Sequence, residues 1–504
     1  GGGLRHEARG LVLGMVLALG GSSLRAQMPS VGVPKGRLRI EIGGEFATVN
    51  GTLFGGDRPY ADVWNAEIGE AFIPEMAGTD ARIRTITGNG SYRLSAGRSS
   101  VVASTQVGRG IIGAALGLSH KLTIFGTLPF VRTRAQTQIG LDTTGSDAGL
   151  APLLSANTAF LGQFDAALAK LADSIAAGKY AGAQLTLANQ TLADGTAIRD
   201  AMVGLFGDPA TAAPFIPTDS SATGIAVRGA ISDLQTTLAG LSITGWSSQP
   251  TLADHRLTDA EYQSFLTSPS GEVGSIFRGD QVLQRPGDAE VGVVYTVVDR
   301  PSLRIAATGL VRLPTGLLDR SENFFDLGTG DGQTDLEGRV AADVARGMFG
   351  ARVSFGYNRQ LEATLQRRIF APSQPIAYAY RAAEITRDPG DEVTIGVEPF
   401  VRLAPGFAFS AGAIHWSHGA DVVSYAGAAI PGVAASDLAI GTKRSSTALQ
   451  AGLTYSSLAG ITGRGTPIEA RWAYRTVVSA SGGRVDKTKT LVFQFRAYYK
   501  LWGR

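Results

Sequence analysis

The sequence predicts an all-β fold, a transmembrane antiparallel up-and-down β-barrel with an α-helical insertion. Three observations predict it. Apolar and polar residues alternate along many segments, which gives each strand one apolar and one polar face. These segments run to about 9–13 residues, the length that a tilted strand needs to cross a bilayer. The connections between them alternate between short and long, as in outer-membrane barrels.

Composition agrees better with one barrel than with several soluble domains. The 504 residues include 66 Gly and no Cys, and only 18% are charged. The absence of Cys excludes a disulfide scaffold, a Cys-zinc site, an iron–sulfur cluster and a Cys nucleophile. The formal net charge of +3 is too small over this length to indicate nucleic acid as a partner.

Residues 1–26 have the three parts of a secretory signal peptide. A basic n-region precedes an apolar stretch from Leu11 to Leu19, and small residues then lead to a cleavage site after Ala26. A buried N-terminal helix is the alternative. We therefore expect export through a cleaved signal peptide to the bacterial cell outer membrane, where outer-membrane lipid and lipopolysaccharide would surround the protein.

The N-terminal barrel strands are expected over 27–134. The segment 37–46 alternates strictly between apolar and polar residues, and further strands are expected near 82–94, 98–108 and 122–130. The C-terminal barrel strands are expected over 288–504.

The segment 288–504 reads as a series of antiparallel hairpins. Short turns are expected at 299–301, 346–347, 404–406. Long connections are expected at 314–332, 362–390, 418–444, 480–487. The strand count is about fourteen, with twelve as the alternative, and closure of the sheet would remove its unpaired edges.

The segment 135–287 breaks the strand pattern and is expected to be a helical insertion, a lid or plug in a long extracellular loop. Apolar residues recur every three or four positions over 160–175 and 227–241, as in amphipathic helices. Thr258 and Glu261 form a capping box that opens a short helix. An external helical hairpin without a gating role and a partner-docking surface are the alternatives.

The polar face of the predicted strands carries charged residues that are candidates for lining the pore. They are Arg304, Arg312, Glu337, Arg339, Asp343, Arg352, Glu398, Arg402, Glu469, Arg471, Arg475 and Arg496. One interpretation is a charged eyelet that orients or selects solutes. The other is a set of mutually satisfied ion pairs that braces the lumen, because buried charges require partners.

No catalytic, cofactor or metal site is predicted. The only histidine cluster, His415-Trp-Ser-His418, lies where a strand meets an external loop. A polar interfacial belt is the favoured interpretation, with catalysis or metal binding as the alternative. Ser417 and His418 are sequence neighbours and lie on opposite faces of a strand, which separates nucleophile from base. The stretch Asp326–Glu337 fails the spacing of an EF-hand loop.

Several strand-and-turn motifs carry a family resemblance. They are Leu116–Arg132, Ala289–Gly292, Val311–Gly316, Leu327–Gly330, Asp335–Glu337 and Phe355–Asn358. Together they resemble the outer-membrane proteins of the MetA-pathway phenol-degradation family. The resemblance implies a barrel that carries small, often aromatic or hydrophobic, compounds across the outer membrane.

The sequence therefore favours an outer-membrane channel or transporter for the passive uptake of small molecules, with the solute gradient as its source of energy and no cofactor. The alternative is a structural or partner-binding outer-membrane barrel whose external helices form an interaction surface. An enzyme is not expected. The identity of the solute and the choice between a monomer and a homo-oligomer stay open.

Overall fold

The computed structural model describes most of the chain downstream of the predicted signal peptide. The described residues are 32–53, 57–59, 64–74, 76–206, 214–268, 273–274, 280–321, 328–370, 376, 378–458 and 466–502. The predicted signal peptide over 1–26 lies outside them, as does the beginning of the stretch Asp326–Glu337.

Twelve antiparallel strands of the described chain close into a barrel. The wall strands are β1 (Arg37–Leu53), β3 (Arg98–Gly117), β4 (Leu122–Asp142), β8 (Ala289–Arg300), β9 (Leu303–Leu313), β10 (Asp335–Arg346), β11 (Phe349–Gln360), β14 (Glu392–Ala404), β15 (Phe407–His418), β17 (Arg444–Ser456), β18 (Ile468–Gly482) and β19 (Val485–Lys500). Each wall strand pairs with the next one along the chain, and β19 pairs with β1 to close the ring. The predicted up-and-down barrel is confirmed.

Two further strands are attached to the wall. β2 (Asp57–Pro59) pairs with β1, and β7 (Asp280–Pro286) pairs with β4. The sheet as a whole therefore has fourteen strands, whereas the closed wall has twelve. Both expected strand counts thus have a physical counterpart, and the wall corresponds to the lower one.

Two small sheets are separate from the wall sheet. Their strands are β5 (Ala148–Leu150) with β6 (Phe215–Pro217), and β12 (Ala363–Arg368) with β13 (Ala382–Asp388) and β16 (Val422–Tyr425). The three-stranded sheet is built from the long connections 362–390 and 418–444. Leu365, Ile385 and Val423 form its apolar core, which gives these connections a folded structure of their own.

The two faces of the barrel wall are chemically opposite. On one face large apolar side chains are exposed along every wall strand, among them Val340 at 47%, Leu453 at 49% and Trp472 at 58%. On the other face charged side chains are buried, and Arg496 is only 1% exposed. A protein surrounded by water places its charges outside and its apolar residues inside, so this wall has the reverse distribution.

Tight turns join several of the wall strands. Gly347 and Gly406 have φ values of +60° and +80°, a left-handed conformation that glycine adopts without a steric cost. The hairpin turns predicted at these positions therefore form. The connection expected at 480–487 is shorter than predicted, because β18 and β19 extend to a turn at Gly482.

A second compact unit holds the helices. It comprises Trp64–Ser100 and Ile139–Leu266. Its helices are α1 (Met76–Thr87), α2 (Thr158–Ala176), α3 (Gly182–Phe206), α4 (Ala222–Gly240) and α5 (Asp259–Thr267). The helices expected over 160–175 and 227–241 are confirmed. No helix among the described residues is both long and apolar enough to cross a membrane.

The helical unit has its own core and its own polar ties. The ring of Phe164 on α2 stacks on Trp246, with centroids 4.1 Å apart. Arg199 on α3 pairs with Asp165 on α2, with Nε 2.7 Å from Oδ1. The predicted capping box is present at α5, where the Thr258 N–H donates to Glu261 Oε2 over 2.8 Å. These contacts define the unit as a folded body.

One expected element is wrong. The strand predicted near 82–94 is instead the second half of α1 followed by irregular chain. The β-branched residues Ile83, Thr85 and Ile86 favour a strand locally. However, Ile83 and Ile86 continue a series of buried positions at helical spacing from Met76, and α1 packs on α3 and α4. Tertiary packing therefore overrides the local pattern.

Candidate functional site

The buried polar face of the barrel wall is the candidate site. Residues directly opposite each other on neighbouring strands point to the same face. The strand register therefore places all the predicted charged candidates on one face. Three rows of paired positions, each followed from strand to strand, show this: Glu41–Arg496–Glu469, Arg304–Asp343–Arg352–Glu398, and Arg402–Ala408–Thr454–Arg471. Most of these side chains form three groups, which we name by their central residues.

The Arg312 group lies on β8, β9 and β10. Arg312 is 3% exposed and pairs with Asp335, with Glu290 at 3.3 Å and with Glu337 at 3.3 Å. Glu337 also pairs with Arg339. The positive charges of two arginines thus offset the negative charges of three carboxylates. Because the group is buried, each charge needs its partners to replace the water that it has lost.

The Glu398 group lies on β10, β11, β14, β15 and β18. Glu398 Oε1 accepts hydrogen bonds from Ser410 Oγ at 2.5 Å and from Arg471 Nη2 at 2.8 Å. Arg352 Nη1 lies 3.9 Å from Glu398 Oε2, and its Nε donates to Asp343 Oδ1 at 2.7 Å. Glu398 on β14 therefore has partners on strands to either side of β14.

The Arg496 group lies where the ring closes, on β1, β18 and β19. Arg496 Nε donates to Glu41 Oε2 at 3.0 Å, and its Nη1 lies 3.5 Å from Glu469 Oε2. Tyr498 donates to Glu469 over 2.6 Å, and Gln494 donates to Glu41 over 2.7 Å. Charge-assisted bonds therefore cross the seam between the first and last strands.

Three of the predicted candidates lie apart from these groups. Arg304 is half exposed and its Nε lies 3.4 Å from Asp299 Oδ1. Arg402 is exposed, and its Nη1 donates to the backbone oxygen of Gly347 over 3.2 Å. Arg475 is buried and interacts electrostatically with Glu45. The first two are therefore solvent-facing residues next to turns.

Several members of the groups were not among the predicted candidates. Glu41 could have been found from the sequence, because the alternation in β1 places it on the face opposite to Ile40 and Ile42. Ser410 and Gln494 carry no charge, and only the strand register reveals their contacts. The pattern of charged residues in the sequence therefore identifies the charged side chains of the site but not their neutral hydrogen-bond partners.

A small cavity lies between the Glu398 and Arg496 groups. It has a volume of about 30 Å³. Its lining consists of Arg352, Thr454, Glu469, Ala470, Arg471, Gln494 and Arg496. The Glu398 and Arg496 groups therefore meet around one cavity on the inner face.

Residues 32–34 form a short segment across the inner face, ahead of β1. The Val33 N–H donates to Thr123 Oγ1 over 2.8 Å, and the preceding N–H donates to Thr296 Oγ1 over 3.3 Å. The Val33 side chain is buried against Tyr498. These partners belong to β4, β8 and β19, so the segment reaches across several strands.

The two histidines of the predicted cluster have separate environments. His418 is buried, and its Nε2 lies 2.8 Å from Asp421 Oδ1. His415 is exposed and contacts Thr447. Burial would raise the pKa of Asp421, but the hydrogen bond from His418 and the charge of Arg387 hold that pKa below its usual value. The described residues contain no group of three or more acidic or histidine side chains arranged to hold a metal ion.

Comparisons with known proteins find similarity in fold only. No family model matches the chain, and no curated protein matches it. An outer-membrane channel from Pseudomonas putida F1 is 8% identical, with a TM-score of 0.40 and coverage of 95% of this chain and 99% of that one. The Ralstonia pickettii toluene transporter TbuX is 9% identical, with a TM-score of 0.28 and coverage of 93% and 90%.

The monoaromatic hydrocarbon channel CymD is 11% identical, with a TM-score of 0.26 and coverage of 94% of this chain and 90% of that one. Structural similarity at this distance does not identify the solute of a channel, because one fold can have many functions. The function is therefore argued from the barrel and its two faces.

Proposed function

We propose that this protein is an outer-membrane channel or transporter for the passive uptake of small molecules. The observation that supports it most is the exposed apolar face of a closed barrel, because a face of this kind is stable in lipid rather than in water. Closed β-barrels of this type are the membrane proteins of the bacterial outer membrane. Export there would follow cleavage of the signal peptide after Ala26.

The inner face supplies the chemistry that a solute path requires. Its charged and polar side chains can replace part of a solute's hydration shell, while their ion pairs keep the wall in one shape. No step in such passage consumes a cofactor, and the concentration gradient of the solute drives it. The proposal includes that the candidate charged residues line the pore.

The solute class follows from the sequence resemblance to the phenol-degradation family. That resemblance favours small aromatic or hydrophobic compounds. Arg304 and Arg402, which are exposed, agree with aromatic solutes, because a guanidinium group stacks on an aromatic ring. Outer-membrane lipid and lipopolysaccharide would be the surroundings of the barrel rather than its cargo.

The helical unit is proposed to limit the rate of solute passage. The alternative is that the barrel serves as an anchor, and that the helices bind a partner. The matched deletion removes both parts of the unit, Trp64–Ser100 and Ile139–Leu266, because α1 in the first part packs on α3 and α4 in the second. Removal of the second part alone would uncover the apolar side of α1.

Liposome swelling tests this function. Wild type and the double deletion are reconstituted and challenged with sugars, amino acids and aromatic acids. Swelling with wild type is expected, and a faster rate after deletion supports the limiting role of the helices. Folded protein that gives no swelling in either form contradicts uptake and favours the anchoring alternative. An equal rate in both forms contradicts the role of the helices alone.

A further inference from the structure

We propose that the ion pair between Arg471 and Glu398 sets the size limit of the channel. The proposal rests on the proposed uptake function and names the residues that would determine which solutes pass. It predicts that this pair is a movable obstacle rather than only a brace of the wall.

The pair joins strands that are not neighbours. Glu398 is on β14 and Arg471 is on β18, and β15 and β17 lie between them in the wall. Adjacent strands are spaced by about 4.8 Å, so the pair bridges roughly 14 Å of the wall. Arg471 Nη2 nevertheless lies only 2.8 Å from Glu398 Oε1. The two side chains must therefore extend over the inner surface of β15 and β17.

The surface under the pair is made of small residues. On the inner face, Ala408 and Ser410 of β15 are paired with Thr454 and Gly452 of β17. Thr454 is in turn opposite Arg471. A wall lined by small side chains leaves a recess, and the long side chains of the ion pair occupy it. Without the pair, this stretch of wall would be open to solute.

Glu398 has two further partners besides Arg471. Ser410 donates to Glu398, and Arg352 approaches Glu398 from β11. The side chains of Arg471 and Glu398 are only 7% and 3% exposed. A small cavity lined by Arg352, Arg471 and Arg496 lies beside the pair. The pair therefore belongs to a packed cluster on the inner face, and its release would widen the path at this level.

The charges of the pair allow a specific test. Glu398→Gln and Arg471→Gln each remove one charge, whereas the double variant Glu398→Arg with Arg471→Glu restores an ion pair with reversed polarity. Each variant is first checked for folding by its heat-modifiable mobility on SDS gels. Arg359→Gln is the matched control, because Arg359 is an exposed arginine on the outer face of β11 that pairs with Asp391 at 3.9 Å.

Single-channel conductance in KCl and swelling with a graded series of uncharged sugars are the two readouts. Each single variant is expected to raise conductance by about twofold and to admit larger sugars. The reversed pair should return both values towards wild type, and Arg359→Gln should leave them unchanged. A reversed pair that stays as open as the single variants contradicts the proposal.

Failure of this inference is distinguishable from failure of the proposed function. If wild type conducts and the folded single variants conduct equally, the pair is only a brace and the inference is wrong. If neither wild type nor any folded variant conducts, the uptake function itself is contradicted, and the inference falls with it.

Discussion

At the scale of single residues, the inner face of the wall is governed by the need of buried charges for partners. Arg312 illustrates this, because three carboxylates on its two neighbouring strands converge on one guanidinium. A buried ion pair adds little net stability over an apolar pair, but removal of one partner leaves a desolvated charge. The effect of a substitution here therefore depends on what it leaves behind.

Arg312→Ala is expected to destabilise the barrel by about 3–5 kcal/mol, because Asp335 and Glu337 lose their common partner while they stay buried. Arg304→Ala is the control, since Arg304 pairs with Asp299 at an exposed position and exposed pairs contribute only about 0–1 kcal/mol. Urea unfolding of both variants in lipid vesicles measures the difference. Equal stability of the two variants would contradict the role given to the Arg312 group.

The stability of the protein is expected to depend on pH through Asp331. Burial, with the charges of Asp335 and Asp288, raises the pKa of Asp331 to about 7. The folded protein therefore keeps a proton that the unfolded chain releases near pH 4, so stability falls as the pH rises between about 4 and 7. Asp331→Asn removes this loss, and its unfolding temperature should exceed that of wild type by a few degrees at pH 8.

At pH 4 the advantage of Asp331→Asn should shrink, because there the unfolded chain also binds this proton about half of the time and the folding cost of keeping it is small. Thermal unfolding followed by circular dichroism at the two pH values gives the comparison. A difference between variant and wild type that is the same at both pH values would show that Asp331 does not titrate in this range.

At the scale of elements, the strands were predictable and the helices only in part. Alternation in β1 and in the hairpin strands from β8 onwards carries a clear signal, because one face of each strand is apolar. In α1 the strand preference of the β-branched residues competes with the helical spacing of Met76, Ile83 and Ile86, and packing on α3 decides the outcome. The sheet formed by β12, β13 and β16 depends on contacts between distant connections, which no local pattern shows.

The segment 32–34 gives a prediction at this scale. A Cβ on Gly117 would collide with the carbonyl oxygens of Val33 and Pro34, so Gly117→Ala should displace the segment from the inner face. Trypsin cleavage after Lys35 is then expected to be several-fold faster than in wild type. Gly338→Ala is the control, because the structure leaves open space around that glycine. An unchanged cleavage rate in Gly117→Ala would contradict the packing of this segment.

At the scale of the whole molecule, the barrel and the helical unit have different surfaces. Leu453 on the wall and Leu187 on α3 are exposed to the same extent, at 49% and 48%. Their surroundings differ, because Leu453 lies on a wall face that is apolar along every strand, whereas Leu187 lies on a helix whose exposed residues are mixed. The fold class was predictable because the wall strands alternate between apolar and polar residues, whereas the helices repeat their apolar residues every three or four positions.

An arginine placed at each of these positions tests that difference. Leu453→Arg should cost about 2–4 kcal/mol of stability in lipid vesicles, as a charge on a lipid-facing strand does. Leu187→Arg should change stability by less than about 0.5 kcal/mol, as exposed substitutions usually do. Urea unfolding in vesicles compares the two variants. Equal effects would contradict a lipid-facing wall.

The central claim is that small solutes pass through the barrel along its charged inner face. Single-channel recording of the folded wild-type protein in planar lipid bilayers tests this most directly, with KCl on both sides and heat-modifiable mobility as the check on folding. The account predicts discrete, reproducible conductance steps. A folded protein that inserts into the bilayer and gives no such steps would contradict it.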